Sequence, residues 1–170
     1  WPAAAAAIMT TDTFAKAATR TARIAGTRVV INGIVKGSGM IAPNMGTMLA
    51  FVFTNARIPA QALRTLLKSA NDRSFNSITV DGDTSTSDTV LLCATGEAGN
   101  KAAASAASAQ LRDFRAKLDE VMQDLAQQVV RDGEGAQKLI RVTAKGAVSE
   151  TSARRIALAI RASPRTPAPK

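Results

Sequence analysis

Apolar residues recur at three- and four-residue spacing through Leu111, Phe114, Leu118, Val121, Met122 and Leu125. No other feature limits the fold as much. Such a stripe predicts the longest helix of the chain, over 102–130, with one face that must be buried. The glycine-rich run DGEG at 132–135 reads as its stop. A second helix is predicted over 59–70, opened by Pro59, with Ala62, Leu63, Leu66 and Leu67 at helical spacing. Residues 27–35 are rich in β-branched side chains and read as a strand. Gly37, Gly39 and Pro43 then punctuate a loop before a second strand over 47–54. Short strands are expected at 77–80 and 89–93 around a polar turn, a further strand at 139–144 and a helix at 150–162. The tail 163–170 contains three prolines and reads as disordered. The mixture predicts an α+β fold in one domain.

Two counts bound the chemistry. There is no histidine among 170 residues, which excludes a Ser-His-Asp triad, a Cys-His pair and a His-based metal site within the chain. A hydroxyl nucleophile would need another base, a lysine or a free α-amine. The single cysteine, Cys93, can form no intrachain disulfide and, within an apolar run, reads as a small buried residue. The net charge of +9 is concentrated at one end: from residue 135 onward eight basic residues face one acid, Glu150. No aromatic follows Phe114 to stack on bases, so a basic helix face with a solvated tail is preferred to nucleic-acid binding. No apolar run is long enough to span a membrane. The opening apolar stretch lacks a basic start, so a signal peptide is not expected. A chain that begins with Trp1 reads as a fragment or a processed product.

The segment KGSGMIAPNMGTMLAF at 36–51 concentrates the unusual chemistry. Gly46 leaves the carbonyl before Thr47 uncrowded, which suits attack by the Thr47 hydroxyl in an N-to-O acyl shift. Hydrolysis of that ester would restore the hydroxyl and leave Thr47 with the free α-amine released by the shift, a base that titrates near pH 8. A glycine followed by threonine at a strand start is also an ordinary structural pair.

This segment strongly resembles the processing and active-site region of the ornithine acetyltransferase family, the glutamate N-acetyltransferases of arginine biosynthesis. AIMTTDTF at 7–14, SFNSITVDGDTSTSDTVLL at 74–92 and LAQQVVRDGEGAQK at 125–138 resemble further family blocks in the family's order. The resemblance runs from about Ala7 to Ala162. It implies a layered α/β/β/α-type fold, incomplete here. Residues 1–46 would be the end of an α chain and 47–162 the start of a β chain, separated by self-cleavage between Gly46 and Thr47. Thr47 matches the nucleophile; Thr10, Lys36, Thr47 and Glu134 match substrate-binding positions. Lys36 could pair with a substrate carboxylate and Glu134 with an α-ammonium. Taken alone, Lys36 also suits a solvated loop charge, Glu134 a helix-ending turn and Thr10 a strand-end hydroxyl.

The implied reaction is ping-pong transfer of an acetyl group from N-acetylornithine to glutamate through acetyl-Thr47. It uses no cofactor and no metal; some family members also take acetyl-CoA as donor. The resemblance further implies a cytoplasmic or mitochondrial-matrix enzyme that assembles from α and β chains into oligomers, without nucleic-acid or membrane partners. The family's oxyanion residues, a Thr-Gly pair well upstream of TTDT, and its C-terminal substrate residues have no match here. Gly46 replaces the usual alanine, Ala15 a proline and Asn55 an aspartate. Two other readings stand beside it. Asp81 and Asp83, after an apolar run, suit magnesium-dependent phosphate chemistry with Asp81 as nucleophile and Asp83 as acid, or a plain Asx turn. Residues 135–170 suit a non-catalytic nucleic-acid-binding surface.

Overall fold

In the computed structural model, residues 1–38, 48–80, 87–133 and 135–161 are described. The long amphipathic helix, α3, spans Arg112–Arg131 and buries Phe114, Leu118, Val121, Met122, Leu125, Ala126 and Val129. It begins some ten residues later than its stripe suggests, because only 109–111 form a 3-10 turn ahead of it and most of 102–108 has no regular structure. The apolar face lies on a four-stranded sheet of order β1-β2-β3-β4. The strands are β1 (Lys16–Ile24), β2 (Thr27–Lys36), β3 (Leu49–Thr54) and β4 (Thr89–Ala94). The β1–β2 and β2–β3 pairs are antiparallel and β3–β4 is parallel. The architecture is therefore α+β.

β1 and β2 form a hairpin whose loop is Ala25–Gly26, since Ile24 pairs with Thr27. Both loop residues have positive φ, 48° and 86°, as a two-residue hairpin loop with right-handed strand twist requires. Alternation along β1 puts Ala18, Ala22 and Ile24 inside and Ala17, Thr19 and Arg23 outside. The inward side chains of β2 (Val29, Ile31, Val35) and β3 (Ala50, Val52) complete the floor on which α3 lies. Gly33 belongs to this floor: the space of its missing Cβ is occupied by Leu125 Cδ1.

Two helices flank this layer. α2 (Ala60–Asp72) carries the chain from β3 towards β4 and buries Ala62, Leu66 and Ala70. α1 (Pro2–Ala7) packs on β1 and β2, with Ala5 buried. The last helix, α4 (Glu150–Arg161), has no fully buried side chain among its described residues.

Three sequence expectations fail. Residues 77–80 are not a strand: 75–77 make a 3-10 turn and the chain then runs irregularly. Residues 139–144 have extended-strand composition but no strand structure. A strand needs a ladder partner, and among the described residues none lies beside them; Ile140 is 81% exposed. Cys93 is exposed rather than buried. β4 is an edge strand, and Thr89, Leu91 and Cys93 point away from the helices while Val90 and Leu92 face the core. The predicted disorder of 163–170 lies outside the described residues. No described helix is long and apolar enough to cross a membrane.

Candidate functional site

The sheet's register brings chemistry-bearing residues together at one end. Lys36 is the last residue of β2 and pairs with Leu49, the first of β3. Gly37 follows with φ 141°, a conformation that favours glycine. It lies against Met48, whose Cα is 3.5 Å from the position a Cβ would take. Lys36 is thus fixed beside the residue that follows Thr47 in sequence. Thr47 and Gly46 themselves lie outside the described residues, as do Glu134, Asp81 and Asp83.

Lys36 is no solvated loop charge. It is 8% exposed, and its Nζ donates to Thr10 Oγ1 at 2.8 Å across 26 residues of sequence. Thr10 lies in the irregular segment between α1 and β1, not at a strand end. Next to it, the Thr11 and Ser38 hydroxyls are 2.7 Å apart. Two of the four substrate-binding positions that the resemblance implies are therefore in direct contact.

Beneath this pair runs a buried ionic network. Lys16, the first residue of β1, is fully buried. Its Nζ lies 2.5 Å from Asp12 Oδ1 and 2.5 Å from Asp132 Oδ2. The Phe14 ring sits over the ammonium, 4.8 Å from centroid to Nζ, where its π face favours a cation. Asp12 Oδ1 also accepts from the Gly37 N–H at 2.7 Å, and Oδ2 from the Thr10 N–H at 3.1 Å. Asp132 accepts from the Thr13 N–H at 3.0 Å and from the Thr13 hydroxyl.

Burial by itself raises a carboxyl pKa. In Asp12 the opposing hydrogen bonds from Lys16, Gly37 and Thr10 prevail, and its carboxyl is held below the ordinary range. In Asp132 burial is likewise outweighed, here by Lys16 and Thr13, with the same net direction. Both carboxylates are ionised at neutral pH.

No sequence signal singled out Asp12, Lys16 or Asp132. The Asp12–Lys16 separation of four is meaningful on a helix, but this segment is not helical, and Asp132 is 116 residues from its partner. Asp88, which follows Asp81 and Asp83 in the sequence, accepts from the Met48 N–H at 3.0 Å. Among the described residues no three Asp, Glu or Cys side chains cluster to hold a metal. An open groove lined by Arg73, Gln127, Leu139 and Arg154 contains none of Thr10, Asp12, Lys16 or Lys36.

Similarity to known proteins converges on one family. The ArgJ family model matches residues 2–167. The arginine biosynthesis bifunctional protein ArgJ of Rhizobium meliloti (strain 1021) is 56% identical over 167 residues, which cover 96% of this chain and 40% of that protein. ArgJ of Agrobacterium fabrum (strain C58 / ATCC 33970) is 55% identical, with the same coverage of both chains. The crystal structure of ArgJ from Bacillus halodurans is similar with a TM-score of 0.62 and 41% identity, covering 66% of this chain and 53% of that one. The chain thus spans about two fifths of the length of these curated relatives. With the family model matching nearly its whole length, the chain belongs to the ArgJ family.

Proposed function

We propose that this chain is the central part of a self-processing acetyltransferase that moves an acetyl group from N-acetylornithine to glutamate. Thr47 is the nucleophile. Its Oγ attacks the Gly46 carbonyl carbon, the peptide C–N bond breaks, and an ester forms. Water then releases the Gly46 carboxylate and leaves Thr47 with a free α-amine, which takes the place of the histidine the sequence lacks. In the acyl cycle Thr47 Oγ attacks the acetyl carbonyl of N-acetylornithine and ornithine leaves. The α-amine of glutamate then collects the acetyl group and restores the hydroxyl. Thr10, Lys36 and Glu134 bind the amino-acid portion, with Lys36 facing its carboxylate. Residues 1–46 belong to the α chain and 47–162 to the β chain of an oligomeric αβ enzyme in the cytoplasm.

One observation carries this reading. Lys36 and Thr10, distant in sequence, share a hydrogen bond at the strand end next to Met48. A buried ammonium hydrogen-bonded to a neutral threonine hydroxyl is suited to an anionic substrate group. The phosphate-transfer reading lacks comparable support, since among the described residues no three carboxylates cluster to hold a metal. The test is intact-mass measurement of the full-length gene product, wild type beside Thr47→Ala. The wild type should split before Thr47 and gain one acetyl group on Thr47 from N-acetylornithine; the variant should do neither. An uncleaved, unacetylated wild type would refute the proposal.

A further inference from the structure

We infer that Lys16, held between Asp12 and Asp132, is a positioning residue for the amino-acid substrate; this rests on Thr10 and Lys36 being substrate-binding. The ammonium is enclosed, capped by Phe14 and bonded to two carboxylates, so it cannot itself touch substrate. Its action passes through what the carboxylates hold.

Asp12 reaches around the end of the sheet. One oxygen takes the Thr10 N–H, and the other takes the Gly37 N–H, next to Lys36. Thr10 is thereby fixed through its own N–H and Lys36 through that of the next residue. Asp132 is the residue that follows the last turn of α3, two positions before Glu134 in sequence. A carboxylate at a helix C-terminus faces the negative end of the helix dipole and is disfavoured there. The Lys16 ammonium, with the N–H and hydroxyl of Thr13, offsets that cost and ties the end of α3 to β1. The buried ammonium thus joins Asp12 to the end of α3 directly and reaches the segment at 36–37 through Asp12.

Stability alone does not account for such a trio. Buried ion pairs can often be replaced by apolar side chains without loss of stability, because desolvation consumes most of the attraction. Their directionality is what an apolar cluster cannot supply. Two carboxylates on one cation fix the relative placement of 10–12, 36–37 and the end of α3, and binding groups ordered in advance raise affinity by cutting the cost of ordering them on binding.

The experiment uses the full-length enzyme with Asp132→Asn and, separately, Lys16→Met, each compared with wild type by thermal melting, kcat, and KM for N-acetylornithine and glutamate. A positioning role predicts that at least one variant folds with a Tm within a few degrees of wild type. In it, KM for both amino acids rises tenfold or more, while kcat at saturation stays within about threefold. An unchanged KM in a folded variant overturns the inference, whatever happens to Tm. Loss of folding in both variants overturns it too, since the trio would then be a stability element. Failure of the underlying acetyltransferase reading is distinct, because it shows as absent transfer in the wild type.

Discussion

Gly33→Ala tests the packing of α3 on the sheet. Gly33 sits in β2 opposite Ala18 and Val52. A Cβ at this position would lie 2.6 Å from Leu125 Cδ1 and 3.1 Å from Val121 Cγ1, against about 3.5–4.0 Å for carbon atoms in contact. Leu125 and Val121 are both fully buried, so neither can swing aside without displacing a neighbour, and α3 must lift from β2. Overpacking of this kind costs about 1–3 kcal/mol. Alanine returns roughly 0.5–1 kcal/mol by removing glycine's excess freedom in the unfolded chain. At the middle of both ranges the expected net loss is about 1 kcal/mol, or roughly 2–4 °C in Tm for a chain of this size. Thermal and urea unfolding followed by circular dichroism measure it. Leu125→Ala alone should cost about 2–5 kcal/mol. Combined with Gly33→Ala it should cost at least about 1 kcal/mol less than the sum, because the new methyl then occupies vacated space. A Gly33→Ala protein that melts at or above the parent temperature, or strictly additive losses, would refute this account of the interface.

Asp12 and Asp132 are both held below the ordinary carboxylate range. Their stabilisation is therefore complete above about pH 4 and is lost as pH falls through their folded-state values. Urea midpoints between pH 6 and pH 3 should fall less steeply for Asp132→Asn than for the parent, and parallel curves would contradict the assignment. Lys36→Met in the full-length enzyme should raise KM for the amino-acid substrates by about tenfold or more, the loss expected for one hydrogen bond to a charged group; an unchanged KM removes Lys36 from the site. Arg20→Ala should shift stability by no more than about 1 kcal/mol, since its pairs with Glu120 and Asp124 are partly exposed. A larger shift in a urea titration would show those pairs to be stronger than exposure implies. Cys93 should react with a thiol reagent in the native chain within minutes; protection until denaturation would place it under cover.

The sequence was most legible where periodicity and composition agreed. The α3 stripe and the β-branched run of β2 identified their elements, and Pro59 with its following leucines identified α2. β1 escaped because its buried positions are a lysine, two alanines and an isoleucine and its outward ones alanine, threonine and arginine, so it shows little of the β-branched density that announces a strand. Residues 139–144 show the reverse: strand-forming side chains without a neighbour to complete a ladder. For the site, resemblance supplied Thr10 and Lys36, and the structure explains their pairing by the register that ends β2 beside Met48. Lys16 and its carboxylates were illegible because their association is purely tertiary, joining a strand start to a helix end. The assignment of Cys93 failed for a related reason, since an apolar stretch does not reveal which of its two faces a helix will cover.

The antiparallel ladder of Ile31–Lys36 with Leu49–Thr54 has a consequence for the proposed cleavage. Its two strands lie on opposite sides of the Gly46–Thr47 bond, so the mature pieces would be halves of a single sheet, gripped by backbone hydrogen bonds and a shared α3 floor. Before the cut, refolding from denaturant would be a one-body event; afterwards two polypeptides must find each other. The melting point of the processed form should then rise with protein concentration while that of an uncleavable form stays fixed.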